Sequence, residues 1–88
     1  MATKMYFRFK VPDFKKWKPI FDEMHSTRKQ YGSTGEHLFC NYENPNEILV
    51  ITEWDNKEQA MKFVQSPELK KAMEKGEVLG TPERSFVE

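Results

Sequence analysis

Apolar and polar positions alternate at the start of the chain and then change period. Every second residue of the segment 4–11 is apolar, which predicts a half-buried β-strand. Beyond Pro12, Asp13 is suited to cap a helix, and large side chains recur at steps of three and four residues. This spacing predicts one amphipathic helical face, composed of Phe14, Trp17, Phe21, Met24, Arg28 and Tyr31.

Pro19 interrupts that helical pattern. Proline is tolerated in the first turn of a helix and disrupts a helix interior. We therefore expect a short turn over residues 13–18 and the main helix over residues 19–31, with Gly32 ending it.

The next segment has the pattern of a β-hairpin. Residues 36–43 and 47–54 are strand-like, and the turn sequence Asn44-Pro45-Asn46 lies between them. The centre of the second strand is apolar at four consecutive positions, which is typical of a strand covered on both faces.

The last third of the chain predicts helix and then strand. Asp55 or Asn56 can cap a helix, and the pair Ser66-Pro67 is typical of a new helix start, continuing to Gly76. After a turn over residues 80–82, residues 84–87 form a short final strand. The element order is β-α-β-β-α-β, so residues 1–88 are interpreted as one α+β domain of ferredoxin-like fold, a four-stranded antiparallel sheet with two helices on one face.

The other face of such a sheet has no helix to cover it. If His37 and Phe39 lie on the helix side together with Val50 and Thr52, an apolar set is left on the bare face, made of Leu38, Cys40, Tyr42, Leu49 and Ile51. An exposed apolar patch usually marks an interface. The sequence therefore predicts a homodimer that pairs through the helix-free face.

Composition supports that prediction and narrows the partners. Fourteen basic and fourteen acidic residues cancel, which argues against nucleic acid and acidic membrane surfaces. The single cysteine, Cys40, cannot form an internal disulfide and is interpreted as a thiol at the interface. No cysteine and histidine residues have the spacing of a zinc site, so a metal is not expected. No apolar run approaches the length of a membrane span, so we expect a cytoplasmic protein.

Several short motifs resemble one known family over nearly the whole chain. Val11-Pro12-Asp13-Phe14, Glu53-Trp54-Asp55 and Ser66-Pro67 are similar to the antibiotic biosynthesis monooxygenase-like group of dimeric α/β-barrel proteins. The resemblance implies a pocket between sheet and helices and, in the oxygenases of the group, catalysis without a cofactor on an electron-rich aromatic substrate. Many members of the group carry a histidine where this chain has Phe63-Val64. Members of the haem-degrading branch carry an asparagine on the first strand, which this chain lacks. Haem chemistry is therefore not expected.

Twelve aromatic residues provide candidates for a flat apolar site. His25 and His37 are the only side chains with an ordinary pKa near neutrality and are the candidate general bases, or else partly exposed polar residues. Arg28 either binds an anionic group of a ligand or caps the last carbonyl groups of the helix. The aromatic candidates either line a ligand pocket or belong to the hydrophobic core. The candidate ligand-binding residues are Trp17, Arg28, Tyr31, Phe39, Trp54 and Phe63.

Two functions remain open from the sequence. One is a cofactor-independent monooxygenase or cyclase acting on an aromatic or polyketide-like molecule, and the other is a non-catalytic dimer that binds a small ligand. The enzyme hypothesis expects a cavity of about 300 Å³ or more, the size of ordinary ligand sites, lined by Trp54 and one of the two histidines.

Overall fold

One antiparallel sheet with helices packed on a single face organises the chain. The computed structural model describes residues 3–87. The elements in chain order are β1 (Thr3–Lys10), α1 (Phe14–Glu23), α2 (His25–Tyr31), β2 (Ser33–Cys40), β3 (Glu47–Trp54), α3 (Lys57–Val64), α4 (Pro67–Lys75) and β4 (Leu79–Val87). The strand order is β2-β3-β1-β4, which confirms the ferredoxin-like fold, with each predicted helical segment divided into two helices.

The strongest local signals in the sequence produced the elements they predict. β3 has the predicted bounds, and Gly32 ends α2 with a φ of 109°. The Ser66 hydroxyl accepts a hydrogen bond from the Leu69 amide at 3.2 Å, so it caps α4 as expected. Of the two candidate caps for α3, the structure selects Asn56.

The prediction for Pro19 was wrong. α1 runs continuously from Phe14 to Glu23 with Pro19 inside it, and the helical segment breaks at Met24 instead. The Asp13 carboxylate accepts from the Lys15 amide at 2.9 Å and fixes the helix start before the proline. Burial of Trp17 on the same helix offsets the lost backbone hydrogen bond.

The bounds of β2 were predicted three residues too late. The Asn41 side chain accepts hydrogen bonds from the amides of Glu43 and Asn44, so the chain turns directly after Cys40. β4 was predicted too short, because Gly80 and Pro82 are turn-like residues. They lie instead in an irregular part of an edge strand, where proline is tolerated.

The face assignment of β2 was wrong by one residue. Leu38 pairs with the buried Val50, whereas His37 and Phe39 pair with Ile51 and Leu49 on the helix-free face. A one-residue change of register moves every side chain of a strand to the other face. His37 and Phe39 are therefore exposed and point away from the helices.

The core lies between the sheet and the helices. Its largest fully buried side chains are Trp54, Met5, Ile48 and Thr52. The indole nitrogen of Trp54 donates to the Thr52 hydroxyl at 2.8 Å, which satisfies a donor that has no access to water. No helix in the described part of the chain is long and apolar enough to cross a membrane.

Candidate functional site

An apolar cavity of about 70 Å³ lies between the helices and the central strands. Aromatic rings form much of its wall, because the helical face predicted from α1 packs onto the sheet. Trp17 is the centre of this cluster, with ring centroids 5.4 Å from Phe9 and 5.2 Å from Phe21. From the other side, α3 contributes Phe63, whose side chain is buried.

Arg28 is the charged residue in the cavity wall, and it is only 4% exposed. Its Nε donates to a carboxylate oxygen of Glu36, and its Nη2 donates to the Phe21 carbonyl at 3.0 Å. The guanidinium also lies over the Phe21 ring, 4.2 Å from the centroid. Three partners therefore fix a buried cation beside apolar space.

Glu36 neutralises that cation and connects it to His25. Burial raises the pKa of Glu36, but the hydrogen bonds and charges of Arg28 and His25 outweigh it, and the net pKa lies below the ordinary value. The His25 Nδ1 lies 2.6 Å from Glu36 Oε1. The His25 side chain is 60% exposed, so the network runs from the surface to the cavity wall.

Some of the predicted ligand-binding residues lie at the cavity or next to it, and the others lie away from it. Trp17, Arg28 and Phe63 line the cavity together. Tyr31 packs edge-on against Phe63, and its hydroxyl donates to a Glu68 oxygen at 2.8 Å. That hydrogen bond, with a smaller contribution from burial, raises the pKa of Tyr31.

Other predicted site residues lie away from the cavity. Trp54 is fully buried behind Phe63, at a centroid distance of 5.4 Å, and belongs to the core. Phe39 and His37 are on the opposite face of the sheet, where His37 Nε2 lies 3.5 Å from a Glu53 oxygen. The structure thus does not bring the two histidines together.

The sequence pattern did not identify Glu36 and Thr52 as residues of the site. Thr52 lines the cavity beside the aromatic side chains, in the middle of an otherwise apolar strand. Glu36 lies two positions before Leu38 on the helix side of β2, so the correct strand register identifies it as a partner of Arg28. Without that register, its acidic side chain is indistinguishable from a surface residue.

The geometry favours binding and charge stabilisation over acid–base chemistry. The cavity is well below the expected 300 Å³, and neither histidine nor Trp54 is among its lining residues. It accommodates an apolar group of a few heavy atoms next to a fixed positive charge. Within residues 3–87, no cluster of three or more His, Cys, Asp or Glu side chains is arranged to hold a metal ion.

Comparisons with known structures show the same fold in proteins of low sequence identity. A proposed antibiotic biosynthesis monooxygenase from Bordetella bronchiseptica matches with a TM-score of 0.85 and 13% identity, covering 99% of this chain and 95% of the other. SnoaB, a cofactor-independent oxygenase from Streptomyces nogalater, matches with a TM-score of 0.81 and 13% identity over 99% and 91% of the two chains. A proposed monooxygenase from Caulobacter crescentus gives a TM-score of 0.79 and 12% identity over 98% and 87%.

Sequence comparison identifies the family directly. No curated protein matches the chain. The sequence model described as antibiotic biosynthesis monooxygenase matches residues 4–75, most of the chain. The chain therefore belongs to the antibiotic biosynthesis monooxygenase family.

Proposed function

We propose that the protein is a cofactor-independent oxygenase that acts on a small electron-rich aromatic molecule with an activated methylene group. The observation that carries the proposal is the buried Arg28 guanidinium in the wall of an aromatic-lined cavity. When such a methylene passes a proton to a water molecule it becomes an enolate, and the prearranged N–H donors of a guanidinium in an apolar site stabilise that charge better than water does, even though Arg28 also has Glu36 as its counter-ion.

The net reaction needs no external reductant. The methylene carbon is oxidised to a carbonyl, one oxygen atom of O₂ enters the product, and the other leaves as water with the two methylene hydrogens. The substrate supplies all four electrons. The role of this chain is to bind the ring, exclude water and hold the enolate next to Arg28.

His25 is the histidine connected to this site. Its Nδ1 contacts Glu36, which in turn fixes Arg28, so we assign His25 a positioning role in the network. The helix-free face carries His37, which has no contact with the cavity lining.

The test is oxygen uptake with anthrone as the probe substrate; its reacting methylene end would enter the cavity beside Arg28, and its outer rings would lie in the space that adjoins the cavity toward α4. The wild-type protein is expected to accelerate uptake and carbonyl formation above the uncatalysed rate. Arg28→Lys keeps the charge but loses the forked geometry, and we expect a loss of tenfold or more in kcat, of the order found when one oxyanion donor is removed. Lys29→Met, an adjacent exposed cation, is the matched control and should retain the rate. Absence of any acceleration by the wild-type protein would refute the oxygenase proposal.

A non-catalytic ligand-binding role is the second candidate. It is favoured by the cavity lining, whose described residues include no histidine, carboxylate, lysine or cysteine that could act as a general base. This candidate predicts saturable binding of aromatic ligands without oxygen uptake, which the same assay combined with calorimetry distinguishes.

We further propose that two copies of the chain pair through the helix-free face. The corrected register places Tyr6, Phe39, Leu49 and Ile51 together there, with Val87 at the edge. Phe39 is 51% exposed, and a surface groove of about 450 Å³ follows this apolar patch.

Light scattering after gel filtration tests the pairing. Phe39→Glu introduces a charge into the patch and is expected to convert dimers to monomers. Gln30→Glu adds the same charge to an exposed position of α2 and should leave the dimer intact. A monomeric wild-type protein at micromolar concentration would contradict this proposal.

A further inference from the structure

A second cleft, about 380 Å³, adjoins the cavity at the edge of the sheet. It lies between the helical layer and β4. Phe7, Leu69, Met73 and Pro82 line both the cavity and the cleft. The two spaces are therefore separated by a single layer of side chains.

The helical part of this layer is the least firmly packed. α4 has no fully buried residue, and both Leu69 and Met73 are half-buried. Methionine is unbranched and adapts its shape at low cost. A change of side-chain rotamer at Met73 is the simplest way to join the cavity and the cleft.

Arg84 supplies the charge at the outer side of the cleft. It is the cross-strand neighbour of Phe7 and therefore points to the helix side of the sheet. No acidic residue lines the cleft, and within residues 3–87 the Arg84 side chain makes no hydrogen bond or ion pair. Lys57 adds a second cation at the same edge, with its Nζ 5.0 Å from the Phe86 ring.

We propose that the cavity and the cleft form one site for a planar aromatic carboxylate, with the ring against Trp17 and Phe7 and the carboxylate on Arg84. The position of the ring in the cavity rests on the proposed function. The new element is the chemical class of the substrate, an aromatic carboxylate. The cavity alone is too small for a two-ring molecule, whereas the joined site has room for its second ring and its charged group. An aromatic carboxylate matches both the apolar lining and the Arg84 guanidinium, which can hold a carboxylate through two parallel hydrogen bonds.

Calorimetric titration with 2-naphthoate and with the uncharged 2-naphthamide tests the assignment. The wild-type protein is expected to bind the carboxylate about fivefold more tightly than the amide, the upper range for an exposed ion pair. Arg84→Gln should bring the two affinities to within about a factor of two, and Lys29→Gln, which removes an exposed charge of α2, should preserve the preference. Met73→Ala should strengthen binding of both ligands, because it removes part of the partition.

Two results would overturn the inference. One is an unchanged preference for 2-naphthoate in Arg84→Gln, and the other is an absence of binding in both the wild-type protein and Met73→Ala. Binding measured this way does not depend on turnover. A protein that binds 2-naphthoate through Arg84 but fails to oxidise anthrone would therefore refute the oxygenase proposal alone.

Discussion

Replacing Thr52 by valine removes the buried hydroxyl that accepts from Trp54 and donates, over a longer distance of 3.4 Å, to the Met5 carbonyl. Thr52 and Trp54 are 1% and 0% exposed, and the indole nitrogen donates to the Thr52 hydroxyl at 2.8 Å. Valine has nearly the shape of threonine but no acceptor. In Thr52→Val the indole N–H is left buried without a partner.

The expected magnitude follows from two opposing effects. A buried donor without a partner costs about 1–3 kcal/mol. The additional buried methyl group of valine returns up to about 0.8 kcal/mol. The free energy of unfolding should therefore fall by about 0.2–2.2 kcal/mol, which lowers the Tm by roughly 1–18 °C in a domain of this size.

A double-mutant cycle with Trp54→Phe makes the test specific. Phenylalanine keeps an aromatic ring and removes the donor, so Thr52→Val should be close to neutral in the Trp54→Phe background. Urea unfolding of the four proteins, followed by circular dichroism, gives the coupling energy. Because pairing of two chains would make stability depend on concentration, all four are compared at one concentration.

The coupling energy decides the outcome. A coupling energy of about 1 kcal/mol or more between Thr52 and Trp54 supports the conclusion that this hydrogen bond stabilises the buried position of the tryptophan in the core. If Thr52→Val is as stable as the wild-type protein and the coupling is zero, the reasoning is wrong and the indole N–H has another partner.

Three further substitutions test the network and the helix ends. The lowered pKa of Glu36 stabilises the fold above its ordinary value of 4.5, and that stability is lost as the pH falls through the folded pKa. Glu36→Gln should cost about 3 kcal/mol at pH 7 because it leaves Arg28 without a counter-charge, and its difference from the wild-type protein in urea unfolding should shrink as the pH is lowered below 4.5. Gly32→Ala should destabilise by more than Gly80→Ala in the same assay, because the φ of 109° at Gly32 lies well outside the left-handed region that L residues can adopt, whereas the φ of 63° at Gly80 lies inside it; equal losses would contradict this backbone argument. Ser66→Ala removes the cap of α4 and should cost about 1 kcal/mol, with Ser66→Asn restoring most of it.

The parts of the fold that were predictable from sequence are those with local signals. A cap followed by proline at Ser66-Pro67 fixes the start of α4 through its own hydrogen bond, and the apolar run in β3 is bounded by charged residues. Pro19 shows the limit of such signals. The tendency of proline to end a helix is outweighed by the burial of Trp17, which is a tertiary effect. The sequence pattern alone does not show which of the two effects is larger.

The candidate site depended on a register that the sequence does not specify. In β2 both alternating sets contain an aliphatic or aromatic residue, Leu38 in one and Phe39 in the other, so alternation alone does not select the buried face. The choice of face determined whether His37 or Glu36 pointed toward Arg28. The aromatic part of the site, by contrast, followed directly from the helical spacing of Trp17 and Phe21.

The irregular stretch of β4 has a consequence for self-association along the sheet edges. β2 and β4 are the two edge strands, and the pairing of β4 with β1 shifts register between Arg8 and Lys10, where Pro82 lies in the unpaired stretch. A bulge with a proline is a poor template for an added strand, whereas Gly35–Cys40 of β2 is regular and contains no proline. Fibrillar aggregation under heat or acid stress should therefore begin at β2, and charged substitutions on that edge are the ones that would suppress it.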